Sequence, residues 1–428
     1  MELVVLAAFC LLLLGSIAFH LSLIGALLAG LVLFLLYGRM TGASLKKLCF
    51  MVWEGIWAAK NIVVTLFLIG ILTSFWRAGG TIPSLVTYAA TWIRPEGMLL
   101  LTFLLNSGVS FLVGSSFATA ATMGVITVTL ATGMGISPWM AGGAMLSGVY
   151  FGDRASPVST SALLVSELTQ TDLYDNVRRM FHTSVVPLLL SCLFYGILGW
   201  YESQSHVTLW QTSFDLADYF VISWPMLLPA VIILVMGFFH ISVKKTMIVS
   251  ILCSAFCAVY FQHVPFRQLF YIGIWGFHTH QSSLEILMGG GGLISMGQVV
   301  SIICISSSYA GIFHGTGMLH RLEMGILKLS QKIGAFGALL VTSLLNSAIA
   351  CNQTLAIMMS YQLCQKLFSK KQDFAIGLEN SVVVLAPLIP WSIAGGVPLD
   401  VVGAPISSFP WAIYLWLLPL WRWIRSGS

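Results

Sequence analysis

The sequence predicts an all-α polytopic membrane protein. About ten transmembrane helices plus two re-entrant hairpins form two inverted-topology repeats with broken helices. Three observations carry that prediction. Of 428 residues, 58% are hydrophobic and only 8% are charged, whereas soluble domains carry about 25% charged residues. The apolar runs are long and lack strand alternation, which excludes an outer-membrane barrel. Short motifs recur far apart in the chain, and the loops beside them differ in charge.

Taken in order, Leu3–Phe19 and Ser22–Tyr37 read as two spans joined near His20. Met1-Glu2-Leu3 lacks a basic leader region, so the first run reads as a span and not a cleaved signal. Arg39, Lys46 and Lys47 follow, and basic loops stay in the cytoplasm. Trp53–Trp76 reads as one outward span, and Thr81–Trp92 as an external segment without charge. Met98–Met123 has a small, polar middle, Asn106–Thr119, and reads as a re-entrant hairpin. Trp139–Glu167 crosses inward and is broken at Asp153.

Phe181–Tyr201 then goes out, to a segment carrying Glu202, Asp215 and Asp218 without Lys or Arg. Tyr219–Phe239 returns, Thr246–Phe261 goes out, and Gln262–Glu285 reads as interfacial. Gly292–Phe313 comes back to Arg321, Lys328 and Lys332. Gly334–Tyr361 reads as a second hairpin. Phe374–Val397 crosses outward, broken around Glu379 and Pro387–Pro390, and Phe409–Leu420 returns to Arg422 and Arg425. Both termini are then cytoplasmic. The chain divides into N-terminal spans (1–53), a first repeat core (54–201), connecting spans (202–285) and a second repeat core (286–428) within one membrane domain.

Leu104-Leu-Asn-Ser107 recurs as Leu344-Leu-Asn-Ser347, Gly70-Ile-Leu resembles Gly311-Ile-Phe, and Ser156-Pro157 matches Ala386-Pro387. Where one copy is basic the other is not: chargeless Thr81–Trp92 corresponds to Arg321–Lys332. Two copies inserted in opposite senses account for this. Inverted repeats with broken helices mark secondary transporters. There is no P-loop and no soluble domain to hold one, so a nucleotide-driven pump is disfavoured.

The breaks and hairpins should converge at mid-membrane. They bring Asn106, Ser107, Ser115, Ser116, Thr119, Asp153 and Ser156 from one copy, and Asn346, Asn352, Gln353, Thr354, Glu379 and Asn380 from the other. Hydroxyls, amides and carbonyls suit alkali cations, and helix N-termini suit an organic carboxylate. Asp153 is the leading candidate. A carboxylate at membrane depth costs roughly 2.5–3.5 kcal/mol on insertion scales, which its cargo can offset. Ionised, it binds a cation; protonated, it crosses without one. Its structural alternative is an ion pair with Arg154. Glu379 is the second acid, set against a surface position near Lys370 and Lys371. Asp153 and Glu379 are thus the candidate sodium ligands. Asn106 and Asn346 have helix–helix hydrogen bonds as their alternative. His314, His278 and His280 compete as relays with plain packing roles, and Gly289–Gly292 reads as a packing element. The eight cysteines lack metal-ligand spacing with histidine and read as packers.

These motifs resemble the NhaC family of sodium–proton antiporters, which includes malate–lactate exchangers. The matching residues are Ser147-Gly-Val-Tyr-Phe-Gly-Asp153, Ser156-Pro157, Thr171-Asp172-Leu173, Leu293-Ile-Ser-Met296, Gly311–Leu319, and Leu378-Glu-Asn-Ser381 with Pro387-Leu-Ile-Pro-Trp391. The resemblance implies a cytoplasmic-membrane location, inverted-repeat architecture and possible pairing into homodimers. Where the family commonly carries acids, this chain has Thr160, Asn352 and Asn380. The expectation is a non-enzymatic secondary transporter, foremost a cation–proton antiporter, with an exchanger of small organic acids or amino acids as the alternative. Beyond a transported or coupling sodium ion no cofactor is expected. The bilayer and a small cargo are the expected partners, and nucleic acid is not.

Overall fold

The computed structural model describes residues 2–19, 22–157, 159–210, 218–239, 241–279, 289–316 and 323–426. His20, Asp215, His280, Glu285 and Arg321 lie outside these, as does the side chain of His314. Among the described residues the secondary structure is helical, apart from one isolated bridge, Phe277 to Gly290.

The chain opens with α1 (Glu2–Ala18) and α2 (Leu23–Met40), the latter started by Ser22, whose hydroxyl accepts from the Gly25 amide. The single span expected over Trp53–Trp76 is instead two helices, α3 (Leu45–Ala58) and α4 (Lys60–Ala78), meeting at Ala59. The apolar character is continuous across Ala59, so hydropathy alone conceals the joint. The chargeless segment after it is itself a helix, α5 (Thr81–Trp92).

The first hairpin has arms α6 (Pro95–Val113) and α7 (Ser116–Gly133). Its tip is Gly114 and Ser115, well beyond Asn106. Gly114 adopts a left-handed φ of 67°, which a residue without Cβ reaches at no steric cost. Asn106 and Ser107 therefore lie inside the first arm, not at the turn as expected. The broken helix follows as α8 (Pro138–Ala155) and α9 (Thr160–Thr169). The break falls after Ala155, two residues beyond Asp153.

Next come the long α10 (Leu173–Trp210), then α11 (Leu228–Phe238), α12 (Val243–Tyr260), α13 (Phe266–Trp275) and α14 (Gly297–Thr316). The second hairpin is α15 (Glu323–Ala350) and α16 (Gln353–Cys364). Its tip repeats the first: Cys351 is left-handed (φ 53°) and Asn352 is extended. The last broken helix is α17 (Lys371–Glu379), α18 (Val382–Leu385) and α19 (Ile393–Val402), and α20 (Ile413–Ser426) closes the chain.

Four helices are long and apolar enough to cross a membrane on their own: 95–113, 116–133, 173–202 and 329–350. The run 371–388 with 393–402 passes the same test as a pair bent by 53°. On α10 a stripe of Leu189, Leu193, Ile197 and Trp200 is 58–62% exposed. Such a stripe fits hydrocarbon and not water, where contiguous apolar patches are rare. The protein is an integral membrane protein.

Among the described residues, two large apolar cores and two small clusters hold the bundle. One joins α4 to α10 with α18–α20 through Phe103, Met145, Tyr150, Val384 and Tyr414. The other joins α1, α2 and α14 to the second hairpin, with Phe9, Phe34 and Tyr309 packed edge-on or tilted at centroid distances of 4.9–5.3 Å. The backbones of α6 and α8 approach closely. A Cβ on Gly148 would sit 2.5 Å from the Phe103 carbonyl, and one on Gly152 2.5 Å from the Ser107 carbonyl. The glycine run near 290 packs on α4, with the Gly292 amide donating to the Gly70 carbonyl at 2.7 Å.

Candidate functional site

The helix α8 ends because Ser156 precedes Pro157. Proline disfavours helical geometry in the residue before it, and Ser156 is extended (φ −82°, ψ 133°). The chain re-enters helix at Ser159, which caps α9 by accepting from the Ser161 and Ala162 amides. The same Ser159 hydroxyl donates to Asp153 Oδ1 at 2.8 Å. Ser161 lies 2.8 Å from Ser159, hydroxyl to hydroxyl.

A second element reaches Asp153 from the first hairpin. Ser116, the first residue of α7, lies close enough to Asp153 for its hydroxyl and backbone amide to act on the carboxylate. Asp153, 3% exposed, therefore lies between the N-terminal ends of α7 and α9. Helix N-termini favour negative charge. Tyr150, one turn earlier on α8, also touches Ser116 and donates to the Ala394 carbonyl at 2.6 Å. That bond ties the first break to α19.

The second break mirrors this placement. Gln353, the first residue of α16, donates to the Val383 carbonyl at 2.8 Å. Trp391 donates to the Ala348 carbonyl at 2.7 Å, and the Ile393 amide to the Cys351 carbonyl at 2.9 Å. Each hairpin tip thus rests on a broken helix. Glu379, 1% exposed, is the last residue of α17. Its Oε2 has no hydrogen-bond partner among the described residues. Its carboxylate lies within electrostatic reach of both Arg154 and Asp153.

Arg154 joins the two breaks. It is fully buried, and all five of its N–H donors have acceptors. Nε donates to the Glu379 carbonyl at 3.0 Å. Nη1 donates to Ser184 Oγ at 2.6 Å and to Tyr414 Oη at 3.2 Å. Nη2 donates to Thr183 Oγ1 at 3.1 Å and to Asn380 Oδ1. Every acceptor is neutral. The ion pair weighed between Asp153 and Arg154 does not form; the two side chains bond to different elements.

The structure brings together Asp153, Ser116, Glu379 and Asn380, with Ser156 in the first break. It does not bring the remaining candidates to the breaks as ligands. Asn106 donates to the Thr102 carbonyl and Thr127 Oγ1, both at 2.8 Å, joining the arms of the first hairpin. Asn346 does the same in the second, donating to Ser360 Oγ at 3.0 Å. Ser107 and Thr119 bond back to helix carbonyls, at 2.7 and 2.9 Å. Ser115 and Asn352 cap α7 and α16. Thr354 is exposed, and its amide serves the Asn352 cap.

Ser159 was missed, although a serine just before a helical run is a cap signal in sequence. The acceptors of Arg154 on α10 and α20 carry no local signal at all. Among the described residues no three His, Cys, Asp or Glu side chains cluster as a metal centre. The site offers two carboxylates and a set of hydroxyls, which are hard oxygen donors.

The sequence is similar to those of known transporters. The chain is 26% identical over 396 residues to the malate-2H(+)/Na(+)-lactate antiporter of Bacillus subtilis, covering 90% of this chain and 84% of that one. It is 26% identical over 410 residues to the Na(+)/H(+) antiporter NhaC of Alkalihalophilus pseudofirmus, covering 94% and 88%. It is 28% identical over 362 residues to the arginine/ornithine antiporter ArcD of Halobacterium salinarum, covering 81% and 74%. The sequence profile of the Na+/H+ antiporter family matches residues 148–421, from the middle of α8 through both breaks and into α20. The chain belongs to the Na+/H+ antiporter family.

Proposed function

We propose that this protein exchanges a monovalent cation, sodium foremost, for protons by alternating access. Asp153 in its Ser116–Ser159 cradle is the carrier, and Glu379 is the second acid. The cytoplasmic membrane is its location and both termini are cytoplasmic. About ten spans and two hairpins form two inverted copies whose breaks meet at the site. The matching builds of the two hairpin tips support the two-copy reading.

One observation carries the choice of cargo. The guanidinium at the breaks has all five donors committed to protein acceptors, while the Glu379 carboxylate keeps an oxygen without a hydrogen bond. A cation finds a waiting ligand there. An organic anion would have to displace existing bonds to reach Arg154. A cation and a proton competing for the same carboxylates are exchanged without any further coupling device.

The test uses inverted vesicles with an acid interior and a pH-gradient dye. Sodium, lithium and potassium are added separately, with vesicles lacking the protein as control. Protein-dependent collapse of the gradient supports cation–proton exchange and ranks the ions. Silence with well-inserted protein rejects it. The relatives named for malate, lactate, arginine and ornithine then define the organic solutes to screen.

A further inference from the structure

The charges of this chain are unevenly placed. Residues 324–372 hold five Lys, residues 401–428 hold two Arg, and neither stretch contains an Asp or Glu. The fold crosses these stretches where α20 meets the base of α15. Arg422 Cζ lies 6.0 Å from the centroid of the Phe336 ring, and the Trp423 indole nitrogen is 3.1 Å from where a Cβ on Gly337 would be. Arg425 stands over Trp421, with its Cζ 5.7 Å from that ring centroid. Lys332, just before the left-handed Gly334, is exposed.

These cations are held but not neutralised. An aromatic face positions a guanidinium and leaves its N–H groups to bond elsewhere. Among the described residues the salt bridge is Arg179 with Asp175, so no carboxylate there pairs with Arg422 or Arg425. The Nε of Arg422 is buried and has no hydrogen-bond partner among the described residues. A guanidinium presents a planar fork that matches phosphate oxygens. Tryptophans such as Trp421 and Trp423 favour the headgroup level of a bilayer. Away from the crossing, along the helices, apolar side chains are exposed on both: Leu344 and Leu345 on α15, Trp416 and Leu420 on α20.

We propose that the crossing of α15 and α20 binds an anionic phospholipid. Arg422 and Arg425 bond its phosphate, Lys332 adds positive field, and the two apolar stripes take its acyl chains. Charge complementarity selects this occupant. Basic pockets between membrane helices attract anionic headgroups, and a zwitterionic lipid brings no net charge to a patch without acids. Asp153, Glu379 and Arg154 take no part, so the lipid site is independent of the cargo.

The readout is thermal unfolding of the purified full-length protein, stripped of lipid in a neutral detergent. It is titrated with phosphatidylglycerol, with phosphatidylcholine of the same chains, and with glycerol phosphate. Phosphatidylglycerol should raise the midpoint at the lowest concentration, because a ligand of the folded state stabilises it by mass action. Arg422→Gln and Arg425→Gln should each raise the half-saturating phosphatidylglycerol about fivefold, and the double variant about 25-fold. The response to phosphatidylcholine should stay the same. Lys46 and Lys47, exposed at the start of α3, are the control: changing both to Gln should leave the titration unaltered. Arg425 is exposed, so Arg425→Gln decides the matter if Arg422→Gln does not fold. Equal responses of the wild type to the two lipids overturn the proposal, as does an unchanged half-saturation in Arg425→Gln. A shift in the Lys46 and Lys47 double variant as large as that of the arginine pair overturns it too, leaving only a general basic face. Saturation by glycerol phosphate at the concentration of phosphatidylglycerol marks a site for free phosphate esters and overturns the lipid assignment.

Discussion

Asp153 and Arg154 are neighbours in the chain, yet their charges are bonded to opposite halves of the site. Asp153 faces Ser116 and Ser159 of its own half. Arg154 reaches across to Glu379 and Asn380. Consecutive residues on a helix project about 100° apart, so one turn at the end of α8 serves both breaks. An acid paired to its neighbour would have been a structural salt bridge. This one bonds Ser159 instead.

Replacement of the carrier is the most direct test. Asp153→Asn should abolish cation-dependent proton movement while the protein still inserts in the membrane at normal level. Wild-type exchange in that variant, measured by the vesicle dye assay, would falsify the assignment.

The cradle predicts a graded effect. Ser159→Ala removes a hydrogen bond to a buried carboxylate, and such bonds contribute about 1.5–3 kcal/mol. The half-saturating sodium concentration should therefore change by roughly 10- to 100-fold. Ser116→Ala should do less, because its backbone amide still reaches Asp153. Equal effects of the two variants would argue against the geometry.

Asn106 and Asn346 should behave as structural residues. Asn106→Ala and Asn346→Ala each lose the side-chain bond between hairpin arms, and interhelical bonds of this kind contribute about 0.6–2 kcal/mol in membranes. The midpoint of thermal unfolding should fall in both, with the order of preference among sodium, lithium and potassium retained. A changed ion order would return these residues to the site.

The contact of α6 with α8 allows no added atom. Gly152→Ala places a methyl 2.5 Å from both the Phe111 amide nitrogen and the Ser107 carbonyl oxygen. Overpacking typically costs about 1–3 kcal/mol, and here the clash is with backbone. Gly108→Ala on the first arm has nothing within 4 Å and should be tolerated. Unfolding midpoints of the two variants in one detergent compare them directly.

The features legible in the sequence are those written in local chemistry. Composition announced the membrane. Ser156-Pro157 announced the first break, and small polar residues announced a hairpin. The joint at Ala59 was concealed by unbroken hydropathy. The polar middle Asn106–Thr119 does contain the turn, at Gly114 and Ser115, but Asn106 at its start lies inside the arm, where its side-chain nitrogen donates to Thr127 on the opposite arm, a contact 21 residues away. Arg154 was out of reach for the same reason: its acceptors come from three other helices, up to 260 residues distant. Local signals mark where a helix stops; they do not say which distant group the freed side chain meets.

Below Ser116, the arm α7 contains one wide turn, the π segment Ala120–Gly124. A π turn closes its hydrogen bonds over one residue more than an α turn. Further along, Thr127 is pinned to Asn106. Tightening the wide turn while that pin holds would swing Ser116 by about 100° around the helix axis. The hydroxyl and amide that cradle Asp153 would turn away together. The first hairpin thus has a quarter-turn of slack wound into it, between Ser116 and the pinned Thr127.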